Sequence, residues 1–119
     1  EFVSAAKDIN GFKFVALTLP EGTTGGDLRT VATDLRNRLR EEEAVIVLGA
    51  EDKGKFPFIA AATDKAVGRG VKSGDIVKQF GQYVDGRGGG KPDMAQGSGS
   101  TAAGAERGFA AVKDMLESL

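Results

Sequence analysis

The chain has 119 residues, of which 40% are hydrophobic and 28% are charged, enough for one modest apolar core but not two. It contains no Cys and no His, which excludes disulfides, thiolate metal ligands, imidazole bases and serine–histidine triads. No apolar run approaches the roughly 20 residues that a membrane-spanning helix needs. Paired carboxylates or a desolvated Lys could still support catalysis, so composition argues against an enzyme without excluding one.

The start of the sequence bears on its origin. It opens on Glu1 rather than Met and lacks the basic flank and apolar stretch of a secretory signal. We therefore expect a fragment of a longer, cytoplasmic protein, in which residues 1–119 form one domain.

The net charge of −1 conceals an uneven distribution along the chain. Residues 53–91 hold 8 Lys/Arg and 3 Asp/Glu, whereas both flanking segments carry an excess of acid. Binding of a nucleic acid through bulk charge is therefore disfavoured, but a localised basic surface is predicted in the middle third. These eight cations could equally form an ordinary solvated surface.

The first half of the chain predicts a strand, a helix and two further strands. Residues 11–19 alternate in hydrophobicity and are rich in aromatic and β-branched side chains, as in a strand. Residues 27–40 carry apolar side chains at steps of three and four behind a Thr24–Asp27 capping box, which indicates a helix. Residues 44–49 are continuously apolar and predict a central strand, and a tight turn leads to a second strand at 56–63.

The second half predicts mainly helices. Residues 64–70 can form a short helix or turn, and Ser73 is a suitable N-cap for a helix that runs to about Val84. A final amphipathic helix follows, with Ala105, Phe109, Val112, Leu116 and Leu119 along its apolar stripe. The predicted fold class is a single small α/β domain, with a mixed β-sheet of about 4–5 strands packed against about 3–4 helices.

Residues 86–104 are rich in Gly and small side chains, a composition typical of a flexible linker. Pro92, Asp93 and Gln96 interrupt the run, so a structured loop is the alternative. Consecutive glycines can adopt positive φ and turn successive N–H groups into one concavity that accepts a phosphate or sugar oxygen. A Walker loop is excluded because Lys91 is followed by Pro92, and a Rossmann fingerprint is excluded because the glycines follow a predicted helix.

The segment Gly88–Gly97, GGGKPDMAQG, closely resembles the signature near the end of bacterial alanyl-tRNA synthetases. The resemblance continues, in the family's order, through Leu28–Leu39, Ala44–Gly49, Ala62–Lys65 and Val71–Ile76. The chain is thus similar to the C-terminal (C-Ala) domain of that family, a domain type also appended to DHH phosphoesterases. In the phosphoesterases a His follows the three glycines, whereas Lys91 and Pro92 follow them here, which favours the synthetase family.

The resemblance implies a tRNA-binding module that recognises the outer corner, or elbow, of tRNA(Ala) and supports aminoacylation and editing by its parent. The parent resembles an alanine–tRNA ligase that would use ATP, Mg²⁺ and a zinc ion in its editing domain. The fragment itself is expected to hold no catalytic site, metal or cofactor. Its expected partners are tRNA(Ala) and the remainder of the synthetase, with a homodimer through this or adjacent segments as a further interaction.

The basic middle third and the family motif converge on one set of candidate RNA-binding residues. Cations would meet phosphates, the glycines would allow close backbone approach, and an amide would be available for a neutral hydrogen bond. The candidates are Arg69, Lys72, Arg87, Gly88, Gly89, Gly90, Lys91 and Gln96.

Two other function classes stay open. The domain could be a nucleic-acid-binding accessory of a DHH phosphoesterase, although the missing His argues against this. It could instead be a protein-interaction or dimerisation module, for which the stripe of the final helix would serve if it were exposed.

Overall fold

The computed structural model describes residues 5–119, which form a six-stranded sheet with helices on both faces. In chain order the elements are β1 (Lys7–Ile9), β2 (Phe12–Thr18), α1 (Gly25–Arg38), β3 (Ala44–Gly49), β4 (Phe56–Ala62), α2 (Asp64–Gly68), α3 (Ser73–Gly81), β5 (Arg87–Lys91), β6 (Met94–Gly99) and α4 (Ala105–Glu117). Within these residues no helix combines the length and the apolar character needed to span a bilayer.

The sheet has the strand order β1-β2-β3-β4-β6-β5. Strands β2 and β3 run parallel and are connected through α1, while the other four neighbouring pairs are antiparallel. The predicted mixed α/β class is confirmed, and the four helices fall within the expected number. The six strands exceed the expected 4–5. The three strands located from the sequence are confirmed as β2, β3 and β4, whereas β1 and the two strands of the glycine-rich segment were not located.

The sheet separates two apolar cores. On one face, α1 packs Leu28, Ala32 and Leu35 against the sheet. On the other face, α2, α3 and α4 cover a core that contains most of the phenylalanines, including Phe80, whose ring lies 5.1 Å from that of Phe109. All six residues of β3 are buried, as expected for a strand covered on both sides.

Helix α1 follows its sequence signals closely. The amide of Asp27 donates to the hydroxyl oxygen of Thr24 at 3.1 Å, and the amide of Thr24 donates to the Asp27 carboxylate at 3.0 Å, which confirms the predicted capping box. The helix ends at Arg38, so the acidic run Glu41–Glu43 lies outside the helix. Acidic side chains within the last turn would be unfavourable, because the C-terminal end of a helix dipole is negative.

Two predictions about helix ends were wrong. Ser73 is the first residue of α3 rather than its N-cap, a position that Lys72 occupies. The Ser73 amide donates to the carbonyl of Pro92 at 2.8 Å, and this bond holds the residue inward, with its hydroxyl buried and unpartnered among residues 5–119. Leu119 is 48% exposed because α4 ends at Glu117, so the last leucine leaves the buried stripe.

The glycine-rich segment is not a linker but the β5–β6 hairpin, which turns at Pro92 and Asp93. Some of its glycines lie so close to α3 or to an aromatic ring that a side chain would not fit. A Cβ at Gly97 would lie 2.6 Å from the Phe58 ring, and one at Gly88 would lie 2.6 Å from Cγ1 of Val77 in α3. These residues therefore form strands because they pack against the rest of the fold, although glycine has a low intrinsic preference for strands.

Candidate nucleic-acid interface

Strand β5 forms one edge of the sheet and carries the glycine triplet, Gly88, Gly89 and Gly90. Residues directly opposite one another in an antiparallel pair share a face of the sheet. Because Gly89 pairs with Gln96 and Lys91 with Met94, these residues lie on the face that α1 covers. Gly88 and Gly90 lie on the opposite face, towards α3.

The predicted concavity of glycine N–H groups does not form. Of the three glycines only Gly90 has a positive φ, at 156°, and the triplet is part of an extended strand. Pairing with β6 keeps the segment extended. What the triplet offers a ligand is a strip of backbone with no side chains, bracketed by the exposed Arg87 and Lys91.

A groove of about 360 Å³ lies between α1 and the hairpin, and we call it the α1 groove. Gly89 and Gly90 contribute to it, together with side chains from the helix and the hairpin. Its polar and charged lining residues are Arg29, Arg36, Lys91, Asp93 and Gln96.

Hydrogen bonds hold both arginines of the α1 groove in place. Nη1 of Arg29 donates to Oε1 of Gln96 at 2.9 Å, and Nε2 of Gln96 donates to the carbonyl of Gly25 at 3.2 Å. Nη1 of Arg36 donates to the backbone carbonyl of Asp93 at 3.1 Å and lies 3.4 Å from its carboxylate. Since a guanidinium carries five N–H donors, each arginine retains donors for a ligand. Gln96 therefore orients Arg29 instead of presenting a free amide.

A second groove, of about 230 Å³, lies on the other side of β5, next to the start of α3, and we call it the α3 groove. Lys72 and Lys78 supply its positive charge, and Asp75 supplies one opposing charge. Gly89 and Gly90 line this groove as well as the α1 groove. The edge strand thus separates two basic depressions.

Four cations around β5 are available for a partner. Among residues 5–119, Lys72, Lys78, Arg87 and Lys91 form no ion pair, and all four side chains are exposed. Their charge is therefore not neutralised within the described part of the domain.

Arg69 lies apart from the other predicted residues. Its Nη1 donates to the carbonyl of Asn10 at 3.0 Å and to the carboxylate of Glu43 at 3.2 Å. Its guanidinium carbon also lies 4.0 Å from the centre of the Phe12 ring on β2. Since β2 is four strand positions from β5, roughly 19 Å at about 4.8 Å per strand, Arg69 does not contribute to either groove.

Three cations of the grooves escaped the sequence-based prediction. Arg29 and Arg36 are seven residues apart and each follows a buried leucine, Leu28 or Leu35, so they share one side of α1 at the margin of its apolar stripe. That spacing could have identified both arginines from the sequence. Lys78 belongs to the basic middle third of the chain, but only the packing of α3 against β5 brings it to the edge.

Comparisons with known proteins agree with this architecture. The sequence profile described as the DHHA1 domain matches residues 11–118. The chain is 50% identical to an alanine–tRNA ligase of Corynebacterium efficiens over 121 residues, which cover 100% of the chain and 14% of that protein. It is 54% identical to the corresponding ligase of Corynebacterium jeikeium over 116 residues, covering 98% of the chain and 13% of the ligase.

The chain thus spans about a seventh of the length of these relatives. Its fold matches the crystal structure of the C-Ala domain of Aquifex aeolicus alanyl-tRNA synthetase with a TM-score of 0.85, at 21% identity, over 94% of this chain and 97% of that domain. The resemblance that the glycine segment suggested is therefore confirmed for both sequence and fold. On the match over residues 11–118, the chain belongs to the DHHA1 domain family.

Proposed function

We propose that this domain binds tRNA(Ala) at its outer corner through the β5 edge and its two grooves, in support of aminoacylation and editing by a longer alanine–tRNA ligase. The observation that carries the proposal is a local concentration of charge. Six cations gather at one edge of a domain whose net charge is −1. They are Arg29, Arg36, Lys72, Lys78, Arg87 and Lys91.

The side chains at the edge favour contacts to the RNA backbone over stacking on bases. Every Phe within residues 5–119 is buried, and Tyr83 is half-buried. Exposed bases are usually bound by stacking on aromatic rings, whereas folded RNA is also recognised through phosphates and 2′-hydroxyls. Arginine and lysine donors beside a bare peptide strand suit the second mode.

The wider role follows from the relatives and is part of the same proposal. The remainder of the synthetase would be the second partner, and the cytoplasm would be the compartment. ATP, Mg²⁺ and the editing zinc would be bound by other parts of the longer enzyme, since this sequence has no Cys or His for a zinc site of that kind.

The alternative of a dimerisation module using the α4 stripe has less support. Phe109, Val112 and Leu116 are 7%, 0% and 1% exposed, so this stripe belongs to the domain's own core. A partner could not contact it without unfolding the domain.

The test is binding of the chain to folded tRNA(Ala) across a salt series, with an unrelated RNA hairpin as competitor. If each of the six cations meets a phosphate, log affinity should fall with log salt at a slope of about −5. The double variant Arg87→Glu, Lys91→Glu should lose most of the binding. The matched control is Lys7→Glu, Lys113→Glu, which changes the net charge equally at a groove beside β1, the opposite edge of the sheet.

Loss of binding in the first double variant but not in the control, with weaker binding to the hairpin, would support the proposal. Equal losses in both variants would mean that only net charge matters. Equal binding to both RNAs would remove the assignment to tRNA(Ala).

A further inference from the structure

The three glycines of the triplet differ in whether the fold requires glycine at their position. A Cβ at Gly88 would lie 2.4 Å from the carbonyl oxygen of Gln96, and one at Gly90 would lie 2.7 Å from that of Met94. Both distances are too short for any side chain. At Gly89 a Cβ would meet no atom within 4 Å, and φ there is not in the left-handed region. The fold therefore requires Gly88 and Gly90 but not Gly89.

Glycine at position 89 lowers the stability of the strand, and no packing contact explains its presence there. A glycine in a strand interior makes the folded protein less stable than a residue with a side chain would, because glycine loses more conformational freedom on folding. A strand glycine without a packing role is typical of a site where another molecule approaches the backbone closely. Position 89 is such a site, because the space above it is open.

The position of Gly89 between the grooves indicates what approaches it. Gly89 lines both the α1 groove and the α3 groove. Gly90 lines both grooves as well, so a ligand that contacts the cations of both grooves passes over the edge strand at these two residues, of which only Gly89 has no packing role. The α1 groove holds Arg29 and Arg36, and the α3 groove holds Lys72 and Lys78.

We propose that one sugar–phosphate strand of the bound RNA crosses β5 at Gly89, with phosphates on one side in the α1 groove and on the other side in the α3 groove. This inference rests on the proposed function. It adds that a single continuous stretch of backbone is held on both faces of the sheet edge, and that the missing side chain of Gly89 makes the crossing possible. Asp75 opposes the ligand within the α3 groove.

The first test separates stability from binding at one position. Gly89→Ala and Gly89→Val should fold with unchanged or higher stability in denaturant titrations, because the strand gains a side chain in open space. Affinity for folded tRNA(Ala) should fall stepwise, by about tenfold or more for the valine. Gly68→Ala is the matched control, since Gly68 is also exposed, has no positive φ and has no atom within 4 Å of its Cβ position. It should leave affinity unchanged.

The second test uses charge on the α3 side, which does not depend on Gly89. Lys72→Ser, Lys78→Ser should weaken binding and reduce the salt slope by about 2, and Asp75→Asn should strengthen binding. If the strand crosses at Gly89, the lysine effect should shrink in the Gly89→Val background, because blocking the crossing already removes the α3 contacts.

The outcomes distinguish the two proposals. If the unaltered chain does not bind tRNA(Ala), both are overturned. If it binds, and Arg87→Glu, Lys91→Glu abolishes binding while Gly89→Val and the Lys72, Lys78 pair bind like the unaltered chain, only the crossing is overturned. Weaker binding to Gly89→Val with an undiminished lysine effect would also contradict a single strand that passes over Gly89.

Discussion

The two edges of the sheet differ in how they use charge. At the β1 edge, which is three residues long, the carboxylate of Asp8 lies 2.8 Å from Nζ of Lys13. This hydrogen bond, together with the charge of Asp8, raises the pKa of Lys13. At the β5 edge, Arg87 and Lys91 flank three glycines and form no ion pair within residues 5–119. Within residues 5–119, Lys13 is paired beside the first edge and Lys7 is its one unpaired strand cation, whereas both cations of β5 are available to a partner.

The two edges also differ in shape. Side chains occupy all of β1, whereas the middle of β5 is bare backbone with a groove on each side. Packing explains two of the three bare positions, Gly88 and Gly90, so the open position at Gly89 and the unpaired cations beside it are the features that a ligand would explain. Four variants can break or sharpen this contrast.

The largest effect is expected for Gly88→Val, which tests whether the hairpin depends on glycine packing. Its Cβ would meet the Gln96 carbonyl at 2.4 Å and Gly97 Cα at 2.5 Å, and neither backbone atom can move freely. We expect a loss of about 3 kcal/mol in the free energy of unfolding, measured by chemical denaturation. Stability equal to that of Gly89→Val would show that the two glycines are not distinct.

The next effect is expected for Arg29→Met, Arg36→Met, which removes the helical cations of the α1 groove. The salt slope for tRNA(Ala) should decrease by about 2, and affinity at low salt should fall on the order of tenfold. Arg38→Met, Arg40→Met near the end of the same helix is the control for charge. An equal change in the control would argue against a role for the groove.

A smaller effect, on stability alone, is expected for Arg69→Leu. The substitution removes the contact with the Phe12 ring and the bonds to Asn10 and Glu43, which should lower the free energy of unfolding by roughly 1 kcal/mol. Affinity for tRNA(Ala) should not change. A marked loss of affinity with intact stability would return Arg69 to the binding surface.

The smallest effect is expected for Asp8→Asn at the β1 edge. The pKa of Lys13 should fall towards its ordinary value, because its hydrogen-bonded carboxylate is lost. The contribution of this exposed pair to stability is small at neutral pH, and it is lost only as pH rises through the raised pKa of Lys13. At neutral pH, both stability and RNA binding should be indistinguishable from those of the unaltered chain, because the pair is exposed. NMR titration of Nζ would check the pKa.

Sequence patterns predicted those parts of the fold that depend on local signals. The capping box at Thr24, the helical stripe that follows it, and the continuous apolar run of β3 each specify their element within a few consecutive residues. The hairpin could not be predicted in this way, because Gly88 and Gly97 become strand residues through contacts with Val77 and Phe58. Such contacts are not visible in a local pattern.

The candidate site was only partly predicted, because some of its residues meet only when the domain packs. Arg87, Lys91 and the glycines lie in one continuous motif and were found. Arg29 and Arg36 come from a helix some 50 residues earlier, and Lys78 comes from another helix, so only the packed domain brings them to the β5 edge. Arg69 was included because it falls in the basic third of the chain, but packing directs its guanidinium to Phe12 and Glu43.

The charges that bracket the glycines also affect self-association. An exposed edge strand can pair with the same strand of a second molecule. In an antiparallel pair centred on Gly89, Arg87 of one copy would face Lys91 of the other at both ends, and like charges opposite one another on neighbouring strands are destabilising. We therefore expect the β5 edge to resist this pairing with itself, which favours another surface for a homodimer of this domain.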